Sequence, residues 1–213
     1  QILVDLGAEV NWLDRNCLSV KAENIQKTEV DRELCQQVRA SILFAGAMLG
    51  RFGRVVLPPP GGDVIGRRRL DTHILGFESL GAESRFEEEF EFQTRALKGS
   101  DIFLDEASVT ATENIVMAAV LASGETVIRN AAAEPHVQGL CNLLNSMGAR
   151  ISGIGTHTLT ITGVDRLGGA THRIGPDYLE IGSVLGLAAI MGHGVSIVGV
   201  RASELRKILM VFE

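Results

Sequence analysis

"LCNLLNSMGARISGIGTHTLTITG", residues 140–163, decides the fold. Leu140, Leu143, Leu144 and Met147 recur at helical spacing and stop at Gly148, a residue suited to the left-handed position that ends a helix. Two alternating stretches follow, around Ile151 and Leu159, with Gly153 and Gly155 between them, and read as a hairpin. The same reading fits "ILVDLGAEVNWLDRNCLSVKA" from Ile2, ending its helix at Gly7, and "ILGFESLGAESRFEEEFEFQTRA" from Ile74, ending at Gly81. The unit recurs at about 70 residues. In the second copy the run "FEEEFEFQ" alternates Phe with carboxylates, as a strand with one solvated face does.

A second element is interleaved with the first. "SILFAGAMLGRFGRVVLP" from Ser41, "SVTATENIVMAAVLASGETVIRNA" from Ser108 and "SVLGLAAIMGHGVSIVGV" from Ser183 each predict a Ser N-cap, an apolar helix, a Gly turn and a strand. These helices are apolar nearly all round and should be buried on most faces, with Ala45, Gly46, Ala118 and Ala119 allowing close approach. The Gly-Ala-ended helices carry a polar side and belong nearer the surface. Buried helices with sheets outside reverse the common α/β arrangement, although an ordinary α+β sandwich satisfies the same periodicity.

The chain has 213 residues, 46% of them hydrophobic, and a net charge of −6. That is enough to bury a substantial core, and the acidic balance argues against a nucleic-acid or membrane-surface protein. Cys17, Cys35 and Cys141 are odd in number and widely spaced, which suggests neither a disulfide framework nor a zinc site and fits a reducing cytoplasm. His73, His136, His157, His172 and His193 show no metal-ligand spacing. No apolar run reaches the roughly 18 to 20 residues that span a bilayer. The chain opens and stops in what reads as mid-helix and has no initiator Met, so it is expected to be a fragment.

"PPPGGDVIGRRRLDTH", residues 58–73, does not belong to either repeated element. It places Asp63 five positions before Arg68, next to Gly61 and Gly62, which read as a flexible hinge. Such a loop resembles a lid carrying an acid to an anion: guanidinium forks hold oxyanions, and a carboxyl can donate a proton if its pKa is raised.

Four stretches, "VRASILFAGAMLGRFG", "PGGDVIGRRRLDTHILGFESLGA", "ASVTATENIVMAAVLASGETVIRNAAAEPHV" and "IGPDYLEIGSVLGLAAI", resemble in order and spacing the UDP-N-acetylglucosamine enolpyruvyl transferases. The resemblance implies an α/β fold of the inside-out α/β barrel type, built from βαβ-type repeats. Residues 1–175 would form a three-repeat domain with its first repeat truncated; 176–213 would be a further repeat element, a candidate start of the second domain. It implies transfer of the enolpyruvyl group of phosphoenolpyruvate to the 3-hydroxyl of UDP-N-acetylglucosamine, the first committed step of peptidoglycan synthesis, with no cofactor and no metal. The missing second domain is expected to be needed, so the fragment alone should be inactive.

Residue by residue, the resemblance implies that Arg39 and Arg68 contact the substrates and that Asp63, where most members carry Cys, acts as an acid. Fosfomycin, which alkylates that Cys, should then be ineffective. The run Arg68, Arg69, Leu70, Asp71 and Thr72 matches the uridine-binding segment, and Ser108 and Val109 match a second nucleotide contact. Departures from the pattern are Arg69 for Pro, Glu106 for Lys, Thr110 for Gly, His136 for an acid and Tyr178 for Arg. Glu106 is unfavourable beside a diphosphate unless Arg67 or Arg69 compensates. Glu134 is expected to order its segment. Two other readings stand beside this one: an enzyme acting on shikimate 3-phosphate, and a non-catalytic relative that binds nucleotide or only a protein partner.

Overall fold

The computed structural model describes residues 1–62, 69–192 and 194–212. Helix α1 (Ile2–Asp5) leads into strands β1 (Glu9–Asp14) and β2 (Cys17–Lys21). Next come α2 (Arg32–Gln37), a 3-10 segment (Arg39–Leu43), α3 (Phe44–Phe52) and β3 (Arg54–Leu57). Beyond the 58–70 loop lie α4 (Asp71–Ser79), β4 (Glu83–Phe86), β5 (Phe90–Gln93) and β6 (Asp101–Phe103). Then follow α5 (Val109–Ala119), β7 (Glu125–Arg129), α6 (Pro135–Ser146), β8 (Arg150–Ser152) and β9 (Thr158–Thr162). Helices α7 (Tyr178–Met191) and α8 (Arg206–Phe212) complete the described chain, with a short 3-10 turn at Ala202–Glu204 between them.

The three helix–Gly–hairpin units are closed in one way. Gly7, Gly81 and Gly148 take φ of 105°, 88° and 100°, a region that only glycine enters freely. In each unit the Gly amide bonds the carbonyl three residues back, at Val4, Glu78 or Asn145. The following Ala amide bonds the carbonyl five residues back, at Leu3, Phe77 or Leu144. This is the Schellman closure, which satisfies the last helical carbonyls and turns the chain into the hairpin. The Ala of each pair (Ala8, Ala82, Ala149) is buried beneath its helix.

Sheet order follows from these hairpins. β3, β5 and β4 form one antiparallel sheet, and β6, β7, β9 and β8 form another in which only β6 and β7 run parallel. The parallel pair is joined through α5, giving a βαβ unit. The corresponding crossover through α3 survives as a parallel bridge from Glu29 to Val56. Helix α5 lies between α3 and α4, burying Ala111, Ile115, Val116, Ala118 and Ala119. Phe77 of α4 meets Phe92 of β5 edge-on at 4.9 Å and ties a sheet to this helical layer. The structure is thus mixed α/β, with α5 the helix buried on most faces as expected.

Several expectations are corrected. The described strands form separate sheets of two, three and four strands, and none closes into a barrel. Ser108 caps α5, its Oγ accepting from the Ala111 amide at 3.4 Å, but the other two expected caps differ. Ser41 lies within the 3-10 segment, where its hydroxyl bonds the carbonyls of Val38 and Cys35. Ser183 lies inside α7, whose cap is Asp177, accepting from the Leu179 amide. The strand expected after Gly194 is not formed: no described strand pairs with residues 195–200, and a strand exists only with a partner. Helix α7 is accordingly exposed at Leu179, Leu187 and Ile190.

Candidate active site

Helices α4 and α5 begin side by side, and their first turns are stitched together. Thr72, buried in α4, donates its hydroxyl to Asp105 Oδ1 at 2.7 Å. One residue on, His73 Nε2 lies 3.2 Å from Thr110 Oγ1, and its Nδ1 lies 3.0 Å from Asn114 Nδ2. An amide nitrogen only donates, so Nδ1 is the acceptor and the ring proton sits on Nε2, directed at Thr110. Burial, and secondarily the Arg39 charge, push the His73 pKa down to about 4, so the ring is neutral at pH 7. The described part of the expected uridine run, residues 69–72, and the expected second contact at Ser108 and Val109 thus lie at helix starts joined by these hydrogen bonds.

The members of that run have different tasks. Leu70 is buried and anchors the start of α4, while Asp71 is exposed on its first turn. The exposed Arg69 pairs with Asp71. Ser108 is engaged as the α5 cap, and its carbonyl accepts from Thr112 Oγ1 at 2.8 Å. Val109 is half-buried at the first helical position.

Arg39 opens the 3-10 segment, as the expected helix start requires. The segment has five residues only, so it carries little of the macrodipole that a regular helix would bring. Asp63, Arg67 and Arg68 lie outside the described residues, as does His193. The two glycines before them, expected as a hinge, are hydrogen-bonded to the end of α2. Gly61 N–H donates to the Cys35 carbonyl and Gly62 N–H to the Gln36 carbonyl, both at 3.2 Å. A Cβ on Gly61 would fall 1.6 Å from the Gln36 oxygen, and one on Gly62 would fall 3.0 Å from the Arg39 nitrogen. These glycines let the loop arm lie against the end of α2 and the Arg39 backbone.

Beneath the arm, the fully buried Cys35 directs its thiol at Ser41 Oγ (3.2 Å) and the Pro58 carbonyl (3.3 Å). Burial raises its pKa against the opposing Ser41 hydrogen bond, so the thiol is a structural donor and not a nucleophile. Cys141 is likewise buried, with its pKa pushed to about 11 by burial and, less, by Glu113. Cys17 is exposed.

A cavity of about 730 Å³, absent from the sequence reading, lies past the α5 start where α6, the β8–β9 turn and residues 172–208 meet. Ala107, Glu134, His157, His172 and Tyr178 are among its lining. Of these, Glu134 Oε2 is buried without a hydrogen-bond partner among the described residues, and Tyr178 stacks on His136 with ring centroids 5.7 Å apart. Asn114 was also missed. Its signal was a lone amide in the apolar stretch "NIVMAAVLA", where a buried polar group must find partners.

Comparison with known proteins settles the family. A family model described as EPSP synthase (3-phosphoshikimate 1-carboxyvinyltransferase) matches residues 1–213. The chain belongs to the EPSP synthase family.

Among its relatives, the UDP-N-acetylglucosamine 1-carboxyvinyltransferase of Treponema denticola is 52% identical over 212 residues, covering 100% of this chain and 50% of the relative. The enzyme of that name from Bradyrhizobium diazoefficiens is 53% identical, covering 100% of this chain and 49% of its own length. That of Treponema pallidum is 57% identical over 89% of this chain and 44% of its own. The chain spans about half the length of the curated relatives it matches. Among solved structures, the enolpyruvyl transferase NikO from Streptomyces tendae superposes with a TM-score of 0.68 at 20% identity, over 86% of this chain and 44% of that one. EPSP synthase from Acinetobacter baumannii gives 0.65 at 16%, over 88% and 43%. At these identities the likeness is one of fold. Among the described residues no helix is long and apolar enough to cross a membrane.

Proposed function

We propose that this chain is one half of an enolpyruvyl transferase that moves the carboxyvinyl group of phosphoenolpyruvate to the 3-hydroxyl of UDP-N-acetylglucosamine. The observation that carries the reading is that the Thr72–Asp105 and His73–Thr110 hydrogen bonds join the start of α4, where residues 69–72 lie, to the start of α5, where Ser108 and Val109 lie. Relatives 52 to 57% identical that bear this activity in their names support it.

In this reading the sugar hydroxyl adds to C2 of phosphoenolpyruvate while C3 takes a proton. The resulting phosphate ketal then loses inorganic phosphate as C3 gives a proton back. Leu70, Asp71, Thr72, Ser108 and Val109 form the nucleotide side. Arg39 and Arg68 hold the anionic substrate, since guanidinium groups placed where charge develops stabilise the transition state. Asp63 donates the proton to C3 in place of a thiol, which makes the enzyme insensitive to fosfomycin. Arg69 belongs to the same nucleotide run, where it pairs with Asp71.

Residues 1–175 make one domain and 176–213 begin the second, whose remainder completes the inside-out barrel architecture and the cleft. The enzyme works in the cytoplasm, in the peptidoglycan synthesis on which cell shape and division depend. A second reading, a non-catalytic relative that binds nucleotide or only a protein partner, is favoured by Glu106, a carboxylate where a diphosphate would have to lie. The test is phosphate release from phosphoenolpyruvate by the full-length gene product. Release with UDP-N-acetylglucosamine supports the proposal, and release only with shikimate 3-phosphate overturns it. Tight sugar-nucleotide binding without release supports the second reading.

A further inference from the structure

Every described residue assigned to the site sits on one of three segments: the 3-10 segment that begins at Arg39, the start of α4, or the start of α5. One side chain joins all three. Gly46 is in the first turn of α3, which runs on directly from the 3-10 segment, the Phe44 amide bonding the Ser41 carbonyl, and the Gly46 amide is met by a side-chain oxygen from outside the helix. Asn114 supplies that oxygen from α5, its Oδ1 accepting from the Gly46 amide at 2.7 Å. Its Nδ2 donates both to the Ile42 carbonyl, inside the 3-10 segment, and to His73 Nδ1 on α4, each at 3.0 Å. His73 returns the connection to α5 through Thr110.

Asn114 is fully buried and uses its oxygen and both amide protons in these contacts. The backbone is shaped for it. A Cβ at Gly46 would lie 2.2 Å from the Asn114 carbonyl oxygen, so only glycine lets α5 approach this closely.

We propose that Asn114, acting through His73, is a positioning residue that holds Arg39 and the nucleotide run 69–72 in fixed register. It touches no substrate itself. This inference rests on the functional reading above for its kinetic consequence, but not for its structural one. A network whose members are all satisfied specifies a single arrangement, and removing one link frees the segments from one another.

The test uses the full-length gene product with His73→Leu, His73→Asn and Thr110→Val. His73→Leu removes the link to Asn114. His73→Asn returns an acceptor near the Nδ1 position. Thr110→Val cuts only the partly buried link back to α5 and spares the fold should His73→Leu fail to fold. Expected is a rise of about 30-fold in KM for UDP-N-acetylglucosamine in His73→Leu and about 5-fold in Thr110→Val, with kcat within 3-fold. His73→Asn should stay within 3-fold on both. Loss of packing alone would reduce the active fraction and lower kcat with KM intact; unchanged KM in His73→Leu and Thr110→Val overturns the proposal.

Wild-type protein without turnover would count against the functional reading only. Positioning is then judged by backbone amide shifts in Thr110→Val and His73→Leu: changes at both 39–46 and 69–73 support it, and changes confined to α4 overturn it.

Discussion

Replacing Gly61 with Ala should disable the enzyme while leaving its fold nearly intact. The added Cβ would stand 1.6 Å from the Gln36 carbonyl oxygen and 2.4 Å from its carbon, whereas real Cβ atoms essentially never approach within 3.0 Å. The clash is with backbone at the end of α2, which cannot swing aside as a side chain could. The loop arm must therefore retreat by about 1.4 Å. That breaks the Gly61–Cys35 and Gly62–Gln36 hydrogen bonds, each worth about 1 kcal/mol net, so the arm loses about 2 kcal/mol of anchoring.

Misplacement of a positioning element by about 1 Å can cost about 100-fold in rate, and this arm leads directly to Asp63. The expectation for Gly61→Ala in the full-length protein is kcat/KM down about 100-fold with Tm lowered by only a few degrees. Gly81→Ala is the control. Its φ of 88° is equally unsuited to Ala, but nothing lies within 4 Å of the new Cβ and the position is remote from the arm. It should lose stability by about 1 kcal/mol and keep kcat/KM. Wild-type kcat/KM in a folded Gly61→Ala protein, or an equal loss in both variants, would refute the reasoning.

The remaining predictions concern charge and chemistry. His73 titrates near 6.5 when unfolded and near 4 when folded, so the unfolded chain binds more protons between these values. Its stabilisation is complete above pH 6.5 and is lost as pH falls toward 4, by about 3 kcal/mol in all; denaturant melts from pH 7 to 4 should show this component vanish in His73→Asn. Glu106→Lys should lower KM for UDP-N-acetylglucosamine about 30-fold at low salt and less at high salt, since replacing a repulsion of roughly 1 kcal/mol with a like attraction changes binding by about 2 kcal/mol. Incubating the full-length protein with fosfomycin should give no covalent adduct at position 63 by intact mass and peptide mapping, and the buried Cys35 and Cys141 should also stay unmodified.

What could be read in advance was the part of the fold that depends on near neighbours. Helix, Gly-Ala and hairpin follow one another in sequence, so Gly7, Gly81 and Gly148 announced the turns that the backbone makes. Ser108 announced its cap for the same reason. Ser41 looked alike but is held by Val38 and Cys35 within a 3-10 segment, whose first-turn neighbour α3 is capped from α5 by Asn114.

The candidate site was legible where a residue's neighbours in sequence are its neighbours in space, as for Leu70, Asp71 and Thr72. It was not legible where the partner is distant. Gly61 and Gly62 read as a hinge because their seat, the end of α2, lies some 25 residues earlier. The Arg69–Asp71 pair was not read because Asp71 was counted only as part of the run. The strand after Gly194 failed for a related reason: alternation proposes a strand, but only a pairing edge makes one.

Hydrogen exchange of the full-length protein with and without UDP-N-acetylglucosamine tests the central claim most directly. Sugar nucleotide should slow exchange at residues 69–73 and 106–110 together, with the β4–β5 hairpin unaffected. Protection confined to the cavity beside Glu134 and Tyr178, or none at saturating nucleotide, would contradict the placement of the site at the joined starts of α4 and α5.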